Sequence, residues 1–359
     1  MVICIYKDSY SQDRLHLSVQ RKRQKSEDKM SDKIKPKRKA SRAGLKFIAI
    51  AELIVIVILG GTLIWQGLLK DKLTGGDAVE TLAQNGEPQV RTRAVIEKEE
   101  SFYQLDGRKI LFNDSTYGEV FMPVFADVPA SELNTDSIVT RNGYSFYKEN
   151  DTITSFAGVD VSQYQGDIDW EQVKAAGIDF AMIRVGYRSY GGGEIHFDEN
   201  FAKNLQGAND AGIKTGVYFF SQAVTTDEAI EEADAVIDAI APYNITYPVV
   251  YDWELIYEDS ARTDSISVEM LADCCISFCE RVKSAGYTPM IYQNKNTSMY
   301  KLDLPRLTAY DFWLAEYDEK PSYYYRFQMW QYASDGTIPG ISGEVDMNLS
   351  FKDYSQQTQ

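Results

Sequence analysis

Val249-Val250-Tyr251-Asp252-Trp253-Glu254 reads as a strand that runs from an apolar start into two carboxylates. Side chains at i and i+2 of a strand point to the same side, so Asp252 and Glu254 project together, with Cβ atoms roughly 6.5–7 Å apart. Two like charges held that close in a partly dry cleft titrate apart, leaving one proton donor and one anion. Cleavage of a glycosidic bond uses that division of labour. An isolated D-x-E has a plainer reading, a strand end with solvated acids, so the surrounding chain decides.

Outward from this strand, the sequence from Ala157 alternates strands with amphipathic helices. Strands are expected at Gly158–Ser162, Phe180–Tyr187, Lys214–Ser221, Pro248–Glu254, Thr288–Gln293, Asp311–Glu316, Arg326–Tyr332 and Glu344–Leu349. Helices are expected at Asp169–Ala176, Glu199–Ala211, Thr226–Ala241 and Ser267–Ala285. Polar caps at Asp169 and Thr226 open them, and Gly177, Gly212 and Gly286 close them. The last three strands leave little room for helices. This pattern predicts an α/β fold, a TIM-like barrel with an irregular C-terminal part; a doubly wound open sheet is the alternative. No G-x-G-x-x-G or P-loop follows any strand, so nothing points to nucleotide binding.

In such a barrel the chemistry gathers at the C-terminal strand ends. Those ends carry Asp160, Tyr187, Tyr218, Asp252 with Glu254, Tyr292, Glu316, Trp330 with Tyr332, and Asp346. Acids and aromatic rings suit a sugar, since rings stack on pyranose faces while carboxylates bind hydroxyls or react. On the opposite strand face, Trp253 is expected in the core. Gly191-Gly192-Gly193 near His196 reads as a surface loop or a lip over the cleft.

The rest of the chain is organised by charge. Residues 1–46 hold 14 basic and 5 acidic residues, a net of +9; with −16 for the whole chain, the remainder carries −25. Phe47 to Leu69 is a nearly continuous apolar run with one charge, Glu52, long enough to cross a bilayer and too long for a cleaved signal peptide. The basic flanks Arg21-Lys22-Arg23 and Lys35-Pro36-Lys37-Arg38-Lys39 predict a single-pass anchor with a cytoplasmic N-terminus. Membrane orientation accounts for those charges, so no nucleic-acid partner is invoked. The expected domains are a basic disordered tail (1–46), a transmembrane helix (47–69) and a linker (70–101). A small β-rich spacer (102–156), the barrel (157–353) and a polar tail (354–359) follow. Strand pieces in the spacer are Lys109–Phe112, Val120–Phe125 and Tyr144–Tyr147, with a turn at Asn142-Gly143. Cys274, Cys275 and Cys279 share one expected helix and read as small core residues. Two histidines in the whole chain give no zinc cluster and no histidine-based triad; no metal or cofactor is expected.

Gly158-Val159-Asp160-Val161-Ser162-Gln163-Tyr164-Gln165-Gly166 with Ile168-Asp169-Trp170 resembles the opening of glycoside hydrolase family 25, the Chalaropsis-type lysozymes or muramidases. Asp252-Trp253-Glu254, Trp330-Gln331-Tyr332 and Val345-Asp346-Met347-Asn348 fit the same family in the same order. The resemblance runs from about Phe156 to Phe351. It implies a (β/α)5(β)3 barrel that hydrolyses the β-1,4 bond between N-acetylmuramic acid and N-acetylglucosamine in peptidoglycan. It also implies Glu254 as general acid, and Asp252 either stabilising the cationic transition state or orienting the substrate's N-acetyl group. Asp160 and Asp346 would line the same cleft. Tyr187, Tyr218, Tyr292, Trp330 and Tyr332 are the candidate sugar platforms. The partners expected are peptidoglycan strands and the cytoplasmic membrane, for a monomeric barrel that remodels the cell's own wall from outside. A chitinase-like strand would read D-x-D-x-E, and Val250 occupies the first acidic place. A non-catalytic glycan-binding scaffold is the alternative of a different class.

Overall fold

The computed structural model describes residues 105–114, 118–257 and 259–356. The tail at 1–46, the span at 47–69, the linker at 70–101 and residues 357–359 lie outside the described residues. Among the described residues no helix is long and apolar enough to cross a membrane.

The chain enters through a hairpin of β1 (Leu105–Asp114) and β2 (Gly118–Phe125). A three-stranded sheet follows: β3 (Ile138–Arg141), β4 (Tyr144–Glu149) and β5 (Thr152–Ile153). The turn between β3 and β4 puts Asn142 and Gly143 at φ 52° and 82°. Asn-Gly favours that pair of left-handed conformations, which matches the strand twist. The segment expected as a spacer belongs to the same unit as the barrel, Leu105–Gln359. The Arg326 amide donates to the Pro129 carbonyl at 2.9 Å, the Ser131 amide to the Tyr324 carbonyl at 2.8 Å, and the Phe125 amide to the Tyr325 hydroxyl at 3.0 Å. Tyr147 meets Phe351 edge-on, with ring centroids 5.5 Å apart.

Eight strands then close into a barrel. They are β6 (Phe156–Val161), β7 (Phe180–Arg188), β9 (Lys214–Ser221), β10 (Val249–Trp253), β11 (Pro289–Asn294), β12 (Asp311–Ala315), β13 (Met329–Gly336) and β14 (Val345–Ser350). A short β8 (Ile195–Phe197) folds back on the end of β7 as a hairpin arm. Neighbours from β6 to β13 run parallel, and β14 is antiparallel to both β13 and β6. These two pairings of β14 close the ring and exclude the open sheet. Helices α1 (Trp170–Ala175), α2 (Phe201–Asp210), α3 (Thr226–Ile240) and α4 (Val268–Ser284) follow the strands in turn; α5 (Lys295–Lys301) and α6 (Leu304–Leu307) come after β11. No helix separates β12, β13 and β14, so helices follow five strands and the last three stand alone.

Most expected elements fall within a few residues of those observed, with physical reasons for the differences. Thr225, not Thr226, caps α3, its side chain accepting from the Glu228 amide. β13 starts at Met329, later than Arg326, because the Arg326 amide donates to the Pro129 carbonyl, and bonding to β12 begins only with the Gln328 amide on the Phe312 carbonyl. The β8 arm, α5 and α6 were not anticipated, being too short for periodicity to register.

Strand alternation makes two cores. The larger lies between barrel and helices and holds Tyr251, Trp253, Cys274, Cys275, Cys279 and Trp330. The three cysteines are free and buried. The smaller fills the barrel with Phe180, Met182, Val250, Met290, Tyr292, Trp313 and Met329. Truncating a buried Trp such as Trp253 or Trp313 costs about 3–5 kcal/mol. A Cβ at Gly158 would lie 2.2 Å from the Phe180 ring, so only glycine fits beside that interior plug. The barrel is therefore solid below, and its polar groups collect at the mouth.

Candidate active site at the barrel mouth

On β10 the alternation sends Tyr251 and Trp253 into the outer core and Val250 into the barrel. Asp252 shares the Val250 face and is buried, with Oδ1 making no hydrogen bond. Glu254 follows the last residue of the strand. Two glutamines, one just past β9 and one on β11, fix this exit: Gln222 Nε2 donates to the Glu254 carbonyl at 2.9 Å, and Gln293 Nε2 donates to the Trp253 carbonyl at 3.0 Å. Thr263 in turn donates to Gln222 Oε1 at 2.6 Å. Buried backbone carbonyls need such partners, and here they set where the Glu254 side chain begins.

Across the mouth, Asp160 on β6 is in register with Asp346 on β14. Asp160 Oδ2 accepts from Gln331 Nε2 at 2.8 Å and from Asn348 Nδ2 at 2.7 Å. Both amides are oriented from behind. Trp313 Nε1, which can only donate, reaches Asn348 Oδ1 at 2.9 Å. Tyr292 and Tyr317 each donate to Gln331 Oε1 at 2.9 Å. A chain of donors thus runs from three aromatic side chains to a single carboxylate oxygen.

Burial pushes the Asp160 carboxyl up to about 6, against the pull of its hydrogen bonds from Asn348, Gln331 and Asp346. Burial also raises Asp252 well above the usual carboxylate range, reinforced by the charges of Glu254 and Asp160 and opposed by Arg184. Asp346 rises for the same first reason, with Asp160 and Glu254 adding to it. The four acids therefore feel one another as a single cluster. Tyr218 and Tyr292 are held neutral by burial, with several of those acids adding to the effect.

The expected sugar platforms divide. Tyr218 and Tyr292 stand within the electrostatic reach of the acids. Tyr187 lies on the β7 rim and stacks on His196, ring centroids 5.1 Å apart. Trp330 and Tyr332 require correction: they occupy the outward parity of β13, and only Gln331 between them faces the acids. Trp330 is 0% exposed and its indole donates to the Glu316 carbonyl, while the Tyr332 hydroxyl accepts from the Ser145 amide. Glu316, at another strand end, pairs with Lys295 at 2.8 Å and accepts from the Ser322 amide, a structural role.

Sequence reasoning missed Gln331, Asn348, Arg184, Tyr164 and Tyr317. Parity carried a signal for the first two: once Asp346 is placed inward, Asn348 must follow. Tyr164 and Tyr317 are 74% and 56% exposed rings in loops just after β6 and β12. Gly191–Gly193 form the turn of the β7–β8 hairpin, tied down by Arg188 Nη1 donating to the Gly193 carbonyl at 2.7 Å.

Carboxylates at the strand ends of an α/β barrel define the class of site found in glycoside hydrolases. The model of glycosyl hydrolases family 25 matches residues 159–341, and the chain belongs to that family. It is 27% identical over 192 residues to the autolytic lysozyme of Clostridium acetobutylicum, covering 53% of this chain and 54% of that protein. It is 28% identical over 204 residues to lysozyme M1 of Streptomyces globisporus, covering 53% and 66%. The chain thus spans between half and two-thirds of the length of these curated relatives. Among solved structures it is similar to the modular autolysin LytC of Streptococcus pneumoniae in complex with a synthetic peptidoglycan ligand. That similarity has a TM-score of 0.50 and 25% identity, over 68% of this chain and 57% of the other.

Proposed function

We propose that this barrel is a muramidase, hydrolysing the β-1,4 bond between N-acetylmuramic acid and N-acetylglucosamine in peptidoglycan. The observation that carries the reading is the cluster of Asp160, Asp252, Glu254 and Asp346 at one end of a family 25 barrel. Glu254 sits at the open end of its strand and donates the proton to the leaving oxygen. Asp252 lies deeper, and its Oδ1 lacks a hydrogen-bond partner. A buried acceptor of that kind is costly until a ligand donor arrives, and the substrate's N-acetyl N–H is such a donor. Held so, the acetamido oxygen is turned toward the anomeric carbon; equally, an anionic Asp252 stabilises the positive charge that develops there. Asp160, fixed by two amides, and Asp346 complete the wall that faces Glu254 and orient sugar or water.

We further propose that residues 47–69 anchor the chain in the cytoplasmic membrane, N-terminus inside and barrel outside, where it trims the cell's own wall. The apolar run and its basic flank support this orientation.

Mass analysis of peptidoglycan fragments after digestion tests the activity: the new reducing end must be N-acetylmuramic acid, and Glu254→Gln must abolish its release while melting like the parent. Binding of wall strands without any new reducing end would replace the hydrolase with a glycan-binding scaffold. Fractionation of cells expressing the full chain, with protease added from outside, tests the anchor. A barrel that resists protease in intact cells overturns the orientation.

A further inference from the structure

The mouth is lined by acids, yet the substrate of the reading above carries acids of its own, on every N-acetylmuramic acid unit. A cation faces the reacting groups: Arg184, on the inward parity of β7 with Phe180 and Met182, opposes the rise of the Asp252 carboxyl. Asp198 clamps it, accepting from Arg184 Nε at 2.9 Å and lying 2.8 Å from Nη2. Asp198 is itself buried and also accepts from the Gln163 amide, so the clamp is rigid. Arg184 Nη2 is shielded from solvent against Asp198, whereas Nη1 has no hydrogen-bond partner among the described residues, and the side chain keeps 13% of its surface exposed. The guanidinium lies between two rim rings, 5.1 Å from the Tyr164 centroid and 5.8 Å from that of Tyr187. Tyr187 continues the stack to His196. The arrangement is a fixed fork, flanked by flat apolar faces, with donor capacity left over at the edge of the cleft.

We propose that Arg184 is a specificity-determining residue that takes a carboxylate of the muramic acid unit, while Tyr164 and Tyr187 hold the sugar beside it. A planar guanidinium matches a carboxylate bidentately and needs a partner wherever its terminal nitrogens are partly dry. An uncharged N-acetylglucosamine polymer offers no such partner. The residue therefore sorts peptidoglycan from chitin-like strands, and it places the muramic acid unit on the β6–β7 side of the acids. The carboxylate has two possible sources, the lactyl ether and the attached peptide, and both present the same group. This inference rests on the muramidase reading.

The test is a cycle between protein and substrate, read as kcat/KM on peptide-free strands whose lactyl carboxyls are intact or reduced to alcohols. Arg184→Gln lowers turnover of intact strands about 10- to 100-fold, chiefly through KM, the range expected for a charged hydrogen bond. Carboxyl reduction costs the unaltered protein as much, and the two changes together cost no more than either alone. Arg184→Lys, which keeps the charge and loses the fork, falls between. The arm with unaltered protein needs no variant to fold. Repeating the cycle on peptide-bearing strands, with peptide carboxyls free or amidated, assigns the source: coupling confined to these strands gives the carboxylate to the peptide. Losses that multiply in both cycles, or a wild type indifferent both to lactyl reduction and to peptide amidation, overturn the proposal and leave the muramidase intact. A wild type that cleaves no strand at all removes both.

Discussion

Asp160 and Asp346 face each other across the antiparallel register of β6 and β14 and join through their carboxyls. Two carboxyls can share a hydrogen bond only when one keeps its proton. Asp160 already accepts two amide donors, so the proton belongs to Asp346, whose carboxyl is raised well above the usual range by burial and by Asp160. The pair titrates as a unit.

This pair makes stability fall as pH rises. A carboxyl whose value in the fold exceeds its unfolded value of about 3.9 binds more protons folded than unfolded. Its stabilising contribution is full below that value and is lost as pH climbs to the folded value, about 6 for Asp160. Asp346→Asn gives Asp160 a permanent amide donor and removes one buried acid. Thermal melts should show the variant more stable than the parent at pH 7, with the gain shrinking toward pH 4. A gain equal at both pH values would contradict the shared proton.

Gln331 carries the orientation of Tyr292 and Tyr317 to Asp160. Gln331→Leu removes a hydrogen bond that lowers the Asp160 carboxyl, so that group rises further. The acid limb of the pH profile for kcat/KM should move to higher pH, and Tm should fall because three hydrogen bonds of a buried side chain are lost. Tyr317→Phe, which leaves the Tyr292 donor in place, should shift the limb less.

The two glutamines beneath Glu254 offer a separate test. Gln222→Ala with Gln293→Ala frees both carbonyls at the end of β10. Each lost hydrogen bond costs about 1 kcal/mol of stability. The larger effect should fall on kcat, about 10- to 100-fold, because a small displacement of the acid is expensive. KM should change little; a loss confined to KM would mean that these residues position substrate instead.

Outside the site, Arg188 is buried and donates to Glu232 Oε1 at 2.6 Å, and burial pushes the Glu232 carboxyl up to about 7. Arg188→Met strands that acid and should cost about 3–5 kcal/mol in denaturant melts. Adding Glu232→Leu should recover most of the loss. No recovery would show that Arg188 acts through its bonds to the Gly193 and Glu228 carbonyls.

The barrel was legible because each element obeys its own period. Lys214–Ser221 is strand over the whole range expected. Asp252 lies inward with Val250, because the strand alternation gives Tyr251 and Trp253 to the helix-facing core. The site was legible where charge stands at a strand end. It was not legible at Gln331, an uncharged residue whose role arises from a partner 171 positions away. Trp330 and Tyr332 misled for a related reason: an aromatic at a strand end fits a sugar and a helix-facing core equally well, and only parity relative to an inward neighbour decides. Arg184 was hidden because its meaning depends on Asp198 and on two rings, Tyr164 after β6 and Tyr187 on its own strand.

The antiparallel last strand also governs when the site comes into being. Asp346 enters the mouth from the final strand of the ring, beside Asp160 from the first, so no shorter nascent chain contains a finished pocket. A ribosome paused before that strand holds a barrel with one stave missing and its acids unsupported. Competence arrives in one late step, and contacts between such distant parts of a chain form slowly. A finished acid cluster is thereby withheld from every incomplete copy, a safeguard written into topology alone.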